Sequence, residues 1–263
     1  MAKFSDQLLA EFKQQRKVNQ TYFGQSEPIW PMPYGEDSAE ALTAFVVECC
    51  WTLDEETSEI SQIPDLPHVR YVCELWWWSR HYGMPLIIEK SRRLLVSWVL
   101  SACEVWAMGM KPETRIVSGL NYAKTAQQVW RTAYMYRQSR LRVFHGIEDC
   151  VTRGGNFLAQ DVREVIFPNG SFIKGLNQES DTFQGSGFSG IRLEEFSHFD
   201  HPEIIWGQSY VLTKGRADVT GGHRVAVCNS YPNPGWLETK KISEVLCNND
   251  PTWIPSVYQK VVA

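Results

Sequence analysis

From Pro85 onward short apolar runs alternate with segments of helical length, and that alternation points to a mostly parallel sheet with helices on both faces. Pro85–Glu89 reads as a strand, and Ser97–Met108 as a helix stopped by Gly109 and Pro112. Arg115–Gly119 is the next strand, after which Asn121 is placed to cap a helix from Tyr122 to Arg140. Val162–Phe167, the turn Pro168-Asn169-Gly170-Ser171 and Phe172–Lys174 carry the Asn-Gly signature of a β-hairpin. A glycine-rich stretch, Gly185–Gly190, leads into a strand at Ile191–Leu193. Asp200 and Glu203 bracket Pro202 as a capping-box start for a helix through Leu212. His223–Cys228 is a further strand. The series contains no internal repeat and no low-complexity tract.

The part before Pro85 has a different texture. Residues 1–19 are charged and helix-prone, with Leu8, Leu9 and Phe12 on one face; residues 20–37, with Pro28, Pro31 and Pro33, read as an irregular linker. Ser38 is an N-cap for a helix from Ala39 to Leu53, and a further helix, Val69–His81, ends at Gly83 and Pro85. A chain of 263 residues can bury one large core. The expected division is therefore an N-terminal helical extension and linker over residues 1–60, and one α/β domain over 61–263.

The net charge of −4 excludes a protein coated in positive charge for nucleic acid, so any DNA contact is local or comes from an assembly. Seven scattered cysteines without a C-x-x-C spacing suggest reduced, partly buried thiols of a cytosolic protein. No signal-peptide block opens the chain, and no apolar stretch is long enough to span a bilayer. Trp76-Trp77-Trp78 reads as core and interface packing.

Three strand ends carry chemistry, and the C-terminal ends of parallel strands converge on a ligand crevice. The first is Lys90-Ser91-Arg92-Arg93-Leu94-Leu95-Val96-Ser97, a short cationic loop between a strand and a helix. That layout sets backbone N–H groups and a helix N-terminus against phosphate oxygens. In the G-x-x-x-x-G-K-S/T register, Ser97 takes the hydroxyl position that ligates Mg²⁺. Val96 stands where lysine belongs, Leu95 where the second glycine belongs, and Lys90 where the first belongs. One cation has moved to the front of the loop, and Arg92 and Arg93 add two more. A solvated basic turn is the plain alternative.

The second strand end is Ile191-Arg192-Leu193-Glu194-Glu195, an apolar run interrupted by Arg192 and ending in paired carboxylates. The first carboxylate can hold Mg²⁺ and the second can polarise an attacking water. Glu194 replaces the commoner Asp and reaches one methylene further. The third is Asn229-Ser230-Tyr231-Pro232, whose polar groups can sense a γ-phosphate. His198-Phe199-Asp200-His201 lacks a third ligand and reads as helix capping rather than a metal site.

In this order and spacing, residues 60–240 resemble the ATPase domain of large terminase subunits, the DNA-packaging motors of tailed double-stranded DNA phages. That family often writes its phosphate loop with a basic residue first, an arginine inside, and a hydroxyl followed by a bulky residue at its end. Lys90-Ser91-Arg92-Arg93 and Ser97-Trp98 look like that variant. The resemblance implies an ASCE-type P-loop NTPase with ATP and Mg²⁺ as ligands. Lys90 takes the place of the relocated lysine, Arg92 or Arg93 that of the in-loop arginine, Glu194 and Glu195 those of the Walker B pair, and Asn229–Pro232 that of the coupling motif. Ser91, Leu94, Leu95, Val96 and Trp98 complete the loop. His68 and Arg70 fall in the adenine-contacting segment, where Arg70 replaces a glutamine and can stack on the base.

Leu95 replaces a glycine, so a left-handed backbone there carries strain. Gln184-Gly185 stands where many members carry Arg-Gly as a finger acting on a neighbouring subunit, which leaves Arg92 or Arg93 acting in cis. The resemblance implies double-stranded DNA, a portal protein and a small terminase subunit as partners, a homo-oligomeric ring on the portal, and the cytoplasm of a host cell. Full-length members add a C-terminal nuclease domain, which this sequence does not include. The alternatives are another P-loop, helicase-like ATPase, or a catalytically weak scaffold of the packaging complex. Lys124, Arg131, Arg137, Arg140 and Arg142 offer a basic helix face for DNA, with a solvated face as the plainer reading.

Overall fold

The computed structural model describes residues 28–54, 57–82, 85–90, 94–112, 114–177, 188–214 and 223–228, together with residue 234 and residues 260–261. The expected helix over residues 1–19 lies outside that set. So do Ser91, Arg92, Arg93, Gln184 and Asn229–Pro232.

Helix α1 spans Ala39–Cys49 and opens as expected, with the Ser38 side chain accepting from the Ala41 N–H. It stops short of Leu53. Gln62 donates its side-chain amide to the carbonyls of Val47 and Glu48, closing the last turn, and Cys50 is extended. Trp51–Leu53 is instead strand β1, paired antiparallel with β2, Ile60–Gln62. Helix α2 follows over Pro67–Tyr82.

From there the alternation holds. Strand β3 is Leu86–Lys90, helix α3 Val96–Met110, strand β4 Thr114–Ser118 and helix α4 Tyr122–Arg142. Asn121 caps α4 by accepting from the Lys124 N–H. Strands β5, Val151–Asn156, β6, Asp161–Ile166, and β7, Phe172–Leu176, form an antiparallel meander. Strand β8 is Gly190–Glu194, helix α5 Pro202–Lys214, strand β9 His223–Cys228 and strand β10 Lys260–Val261. Sequence reasoning missed β5 because Val151-Thr152-Arg153-Gly154-Gly155-Asn156 has no apolar alternation, being largely exposed at the sheet edge.

The eight-stranded sheet has the order β10-β3-β9-β8-β4-β7-β6-β5, parallel from β10 through β7. Strand β9 therefore lies between the loop strand β3 and the carboxylate strand β8. Side chains alternate across the sheet. Leu86, Ile88, Val117, Val225 and Val227 enter one core beneath α1 to α4; Ile87, Ile116, Ile191, Leu193 and Ala226 enter a second with Phe196, Phe199 and Trp206 of the α5 side. On β8 this alternation sends Arg192 and Glu194 toward α3.

Residues before α1 belong to the first core. Trp30 packs among Phe45, Tyr136 and Phe144, its indole donating to the Trp106 carbonyl while the Trp106 indole donates to that of Tyr34. No helix among the described residues is long and apolar enough to cross a membrane.

Candidate nucleotide site

The strand register sets the chemistry-bearing ends side by side. Glu89 pairs with Cys228, Val227 with Glu194, and Leu193 with Ser118, so Lys90, the residue before Asn229, and the carboxylate pair share one rim of the sheet. Lys90 is the half-buried last residue of β3. Asn229–Pro232 follows β9 directly and lies outside the described residues.

Five residues after Lys90 the chain enters α3 through Leu95, at φ 57° and ψ 6°. The expectation drawn from its missing glycine is met: a leucine occupies the left-handed region, at a cost of about 1–2 kcal/mol. What holds it there is packing and hydrogen bonding. The Leu95 carbonyl accepts from the N–H groups of Trp98 and Val99, and its side chain packs against the main core. Val96 is buried; Leu94 is half-buried against the same core. Trp98 is also buried, stacked edge-on to Trp130 and Tyr134 of α4, with Arg131 over its ring. Its indole therefore serves the α3–α4 interface.

Glu195 sits at the matching junction on β8, again left-handed at φ 56° and ψ 35°. Its carbonyl accepts from the His198 N–H, starting a 3-10 turn, and its side chain is half-buried. Two non-glycine residues in this strained region, at strand–helix junctions on either side of β9, mark this rim as a place where geometry outranks local stability.

Ser97 and Glu194 meet. The Ser97 hydroxyl donates to Glu194 Oε2 at 3.1 Å, joining residues 97 positions apart. Both are hard oxygen donors of the type magnesium takes, and the second carboxylate oxygen, Glu194 Oε1, is buried with no hydrogen bond and only the Arg192 guanidinium beside it as an ion pair. The pair fits a magnesium ion completed by phosphate and water oxygens. No group of three or more His, Cys, Asp or Glu side chains placed to hold a metal occurs among the described residues, and His201 lies 3.8 Å from Glu203 at the start of α5.

Behind this pair lies a buried ionic layer that sequence reasoning passed over. Arg192, 1 % exposed, places Nη1 3.3 Å from Glu194 Oε1 and Nη2 3.2 Å from Glu104 Oε2. Nη1 also donates to the Ser97 carbonyl at 3.1 Å and the Ser101 hydroxyl at 3.2 Å. Burial pushes the Glu104 carboxyl above its ordinary value, against the pull of Arg192 and Arg115, which lie close enough to lower it. Arg115 lies over the Trp76 ring and against Gly190, where an added Cβ would come within 2.6 Å of its guanidinium. Two periodicities were the available signal: Ser97, Ser101 and Glu104 at i, i+4, i+7 in an otherwise apolar helix, and Arg192 with Glu194 at i, i+2 on a strand.

The adenine-segment residues are less committed. His68 is half-buried in the first turn of α2, and Arg70 is exposed and paired in a fork with the Asp65 carboxylate at 2.5 Å. Four of the five candidate basic residues on helix α4 are engaged internally, Arg137 with Asp149, Arg140 with the Ile147 carbonyl, Arg142 with Gln138 and Arg131 with Gln128, while Lys124 is exposed. That favours a structural face over a DNA-gripping one.

By sequence, no family model and no curated protein matches the chain. By structure, the HK97 bacteriophage large terminase matches with a TM-score of 0.59 at 12% identity, covering 81% of this chain and 42% of that one. The large terminase from the thermophilic bacteriophage D6E matches with a TM-score of 0.50 at 15% identity, covering 70% of this chain and 43% of that one. At such identities the likeness is one of fold, and it is the α/β P-loop NTPase fold. The chain spans less than half the length of either structure.

Proposed function

We propose that this chain is the ATP-hydrolysing motor domain of a phage large terminase, driving double-stranded DNA into a procapsid. The observation that carries the reading is the Ser97–Glu194 contact, a helix-start hydroxyl against a strand-end carboxylate on a P-loop sheet. Lys90 and the amides of the loop hold the β and γ phosphates of ATP. Ser97 and Glu194 hold magnesium, which supplies charge neutralisation on the phosphate oxygens when bound. Arg92 or Arg93 meets the negative charge that develops on the transferred phosphoryl group, and Glu195 orients water as general base. Asn229–Pro232 relays loss of the γ-phosphate to the surface that grips DNA. The working state is a homo-oligomeric ring assembled with portal protein and small terminase subunit in the host cytoplasm.

The left-handed Leu95 favours one other reading, a weakly catalytic scaffold of the same complex. Equilibrium ATP binding with and without Mg²⁺, measured on the chain assembled with portal and DNA, decides between them. Magnesium-dependent binding is expected; its absence in the wild-type assembly overturns the motor reading. Glu195→Gln should retain ATP binding and turn over at least ~100-fold more slowly, the scale of a lost general base. Undiminished turnover removes Glu195 from the mechanism.

A further inference from the structure

We infer that Arg192 is a positioning residue for the magnesium carboxylate, compensating for the extra methylene of Glu194; the inference rests on the nucleotide-site reading above. A glutamate at the tip of β8 has one more rotatable bond than an aspartate, so its carboxylate needs something besides its own backbone to fix it. Arg192 supplies that restraint from two residues away on the same face of the strand. Its guanidinium reaches Glu194 Oε1 at 3.3 Å, leaving Oε2 turned to the Ser97 hydroxyl at 3.1 Å.

The other end of the tether is α3 itself. Nη1 donates to the Ser97 carbonyl and the Ser101 hydroxyl, and Nη2 lies 3.2 Å from Glu104 Oε2 one turn further along. The planar guanidinium meets these partners from two nitrogens, Nη1 through hydrogen bonds to α3 and an ion pair to Glu194, Nη2 through an ion pair to Glu104, a spread that a compact ammonium does not reproduce. Arg192 thus ties the residue bearing one magnesium oxygen to the helix bearing the other. Ser97 and Glu194 sit on different elements that meet through their own hydrogen bond, and the guanidinium bridges the same two elements beside it. Glu104 has no path to the metal of its own: it is 1 % exposed, holding the far side of the fork.

Outer groups that orient metal ligands are worth about 10–100-fold in metal affinity. The experiment is a magnesium titration of mant-ATP binding to the protein assembled with portal and DNA, with parallel binding in EDTA. Arg192→Lys, which keeps the buried charge and loses the fork, should raise the magnesium concentration at half-saturation about tenfold. Binding in EDTA should stay within about twofold of wild type, since Arg192 meets the loop at the Ser97 carbonyl and not at Lys90. Where Arg192→Lys melts too early to titrate, Ser101→Ala removes one anchor and should raise the midpoint about threefold. In a Glu194→Asp background, where no surplus methylene needs restraint, the Arg192→Lys effect should shrink to about threefold or less.

An unchanged midpoint, an equal shift in both backgrounds, or a parallel loss of EDTA binding overturns the inference. Wild-type protein that shows no magnesium-dependent binding instead removes the nucleotide-site reading on which it rests.

Discussion

At the scale of single residues, the rim of the sheet trades local comfort for geometry. Leu95 and Glu195 both hold φ near 56°, where L side chains crowd the following carbonyl. Leu95→Gly removes about 1–2 kcal/mol of that crowding but adds glycine's entropy cost of about 0.5–1 kcal/mol and loses a half-buried side chain. The expected result is a denaturation midpoint corresponding to within about 1 kcal/mol of wild type. Leu95→Val should instead lose about 1–3 kcal/mol, because a β-branched residue is a true outlier at this φ. Equal effects from the two substitutions would show that packing, not backbone strain, governs the position. Glu104 gives a prediction in pH. Its folded-state carboxyl titrates above the ordinary 4.5, so the stability it contributes is full below that value and is lost as pH rises through the raised one. Wild type should therefore lose ground to Glu104→Gln as pH climbs from 4.5, read as a narrowing or reversing gap in melting temperature. A gap that widens in favour of wild type would mean that Arg192 outweighs burial.

At the scale of elements, connections do more than connect. The Asn-Gly turn expected between β6 and β7 is there, with Gly170 at φ 82°. It also closes the C-terminus of α3: Asn169 donates its side-chain amide to the Met108 carbonyl at 2.7 Å, and the Ser171 hydroxyl reaches Met108 and Lys111 carbonyls. A hairpin turn legible from two letters thus serves a helix sixty residues earlier, which no local pattern encodes. Asn169→Ala takes one of two side-chain donors from the Met108 carbonyl and leaves the buried Ser171 N–H without its acceptor; it should cost about 1–3 kcal/mol in chemical denaturation, without altering the hairpin's strand content in circular dichroism. Trp30 makes the same point before α1. The sequence marks its neighbourhood as a proline-rich linker, yet the indole fills the space over Gly109, where an added Cβ would stand 2.1 Å from Nε1. Gly109 looked like a helix stop; it is a contact surface inside α3. Trp30→Ala should destabilise by about 3–5 kcal/mol, the range for emptying a large aromatic site. A loss below 1 kcal/mol would return the segment to the status of a linker.

At the scale of the molecule, alternation along the chain was enough to read a mostly parallel sheet, because strands buried on both faces are written as short continuous apolar runs. Strand order was not written there. That β9 separates β3 from β8 depends on crossovers whose ends meet only in three dimensions, and the polar layer of Glu104, Arg192 and Glu194 was hidden because its members lie on two elements. The same sheet carries the two cores, and each of β3, β4 and β9 has side chains in both. Opening one face should therefore strip the other, making the described protein one cooperative unit. Its thiols can report this. Cys49, Cys50, Cys73 and Cys103 belong to the first core and Cys228 to the second, all of them buried. Burial pushes the Cys49 and Cys150 thiols up to about 12 and those of Cys50 and Cys103 well above the ordinary value, so the reactive thiolate is scarce as well as shielded. In a Cys247→Ser background, labelling at pH 8 should proceed in one slow phase, with Cys228 and Cys103 modified at the same rate when peptides are mapped. If the rim holds ATP and Mg²⁺ as proposed, saturating amounts of both should slow the two equally, since a ligand bound only by the native state stabilises the whole unit. Cys228 labelled well ahead of Cys103 would show that the α5 face opens alone, and that the two layers share a sheet without sharing its stability.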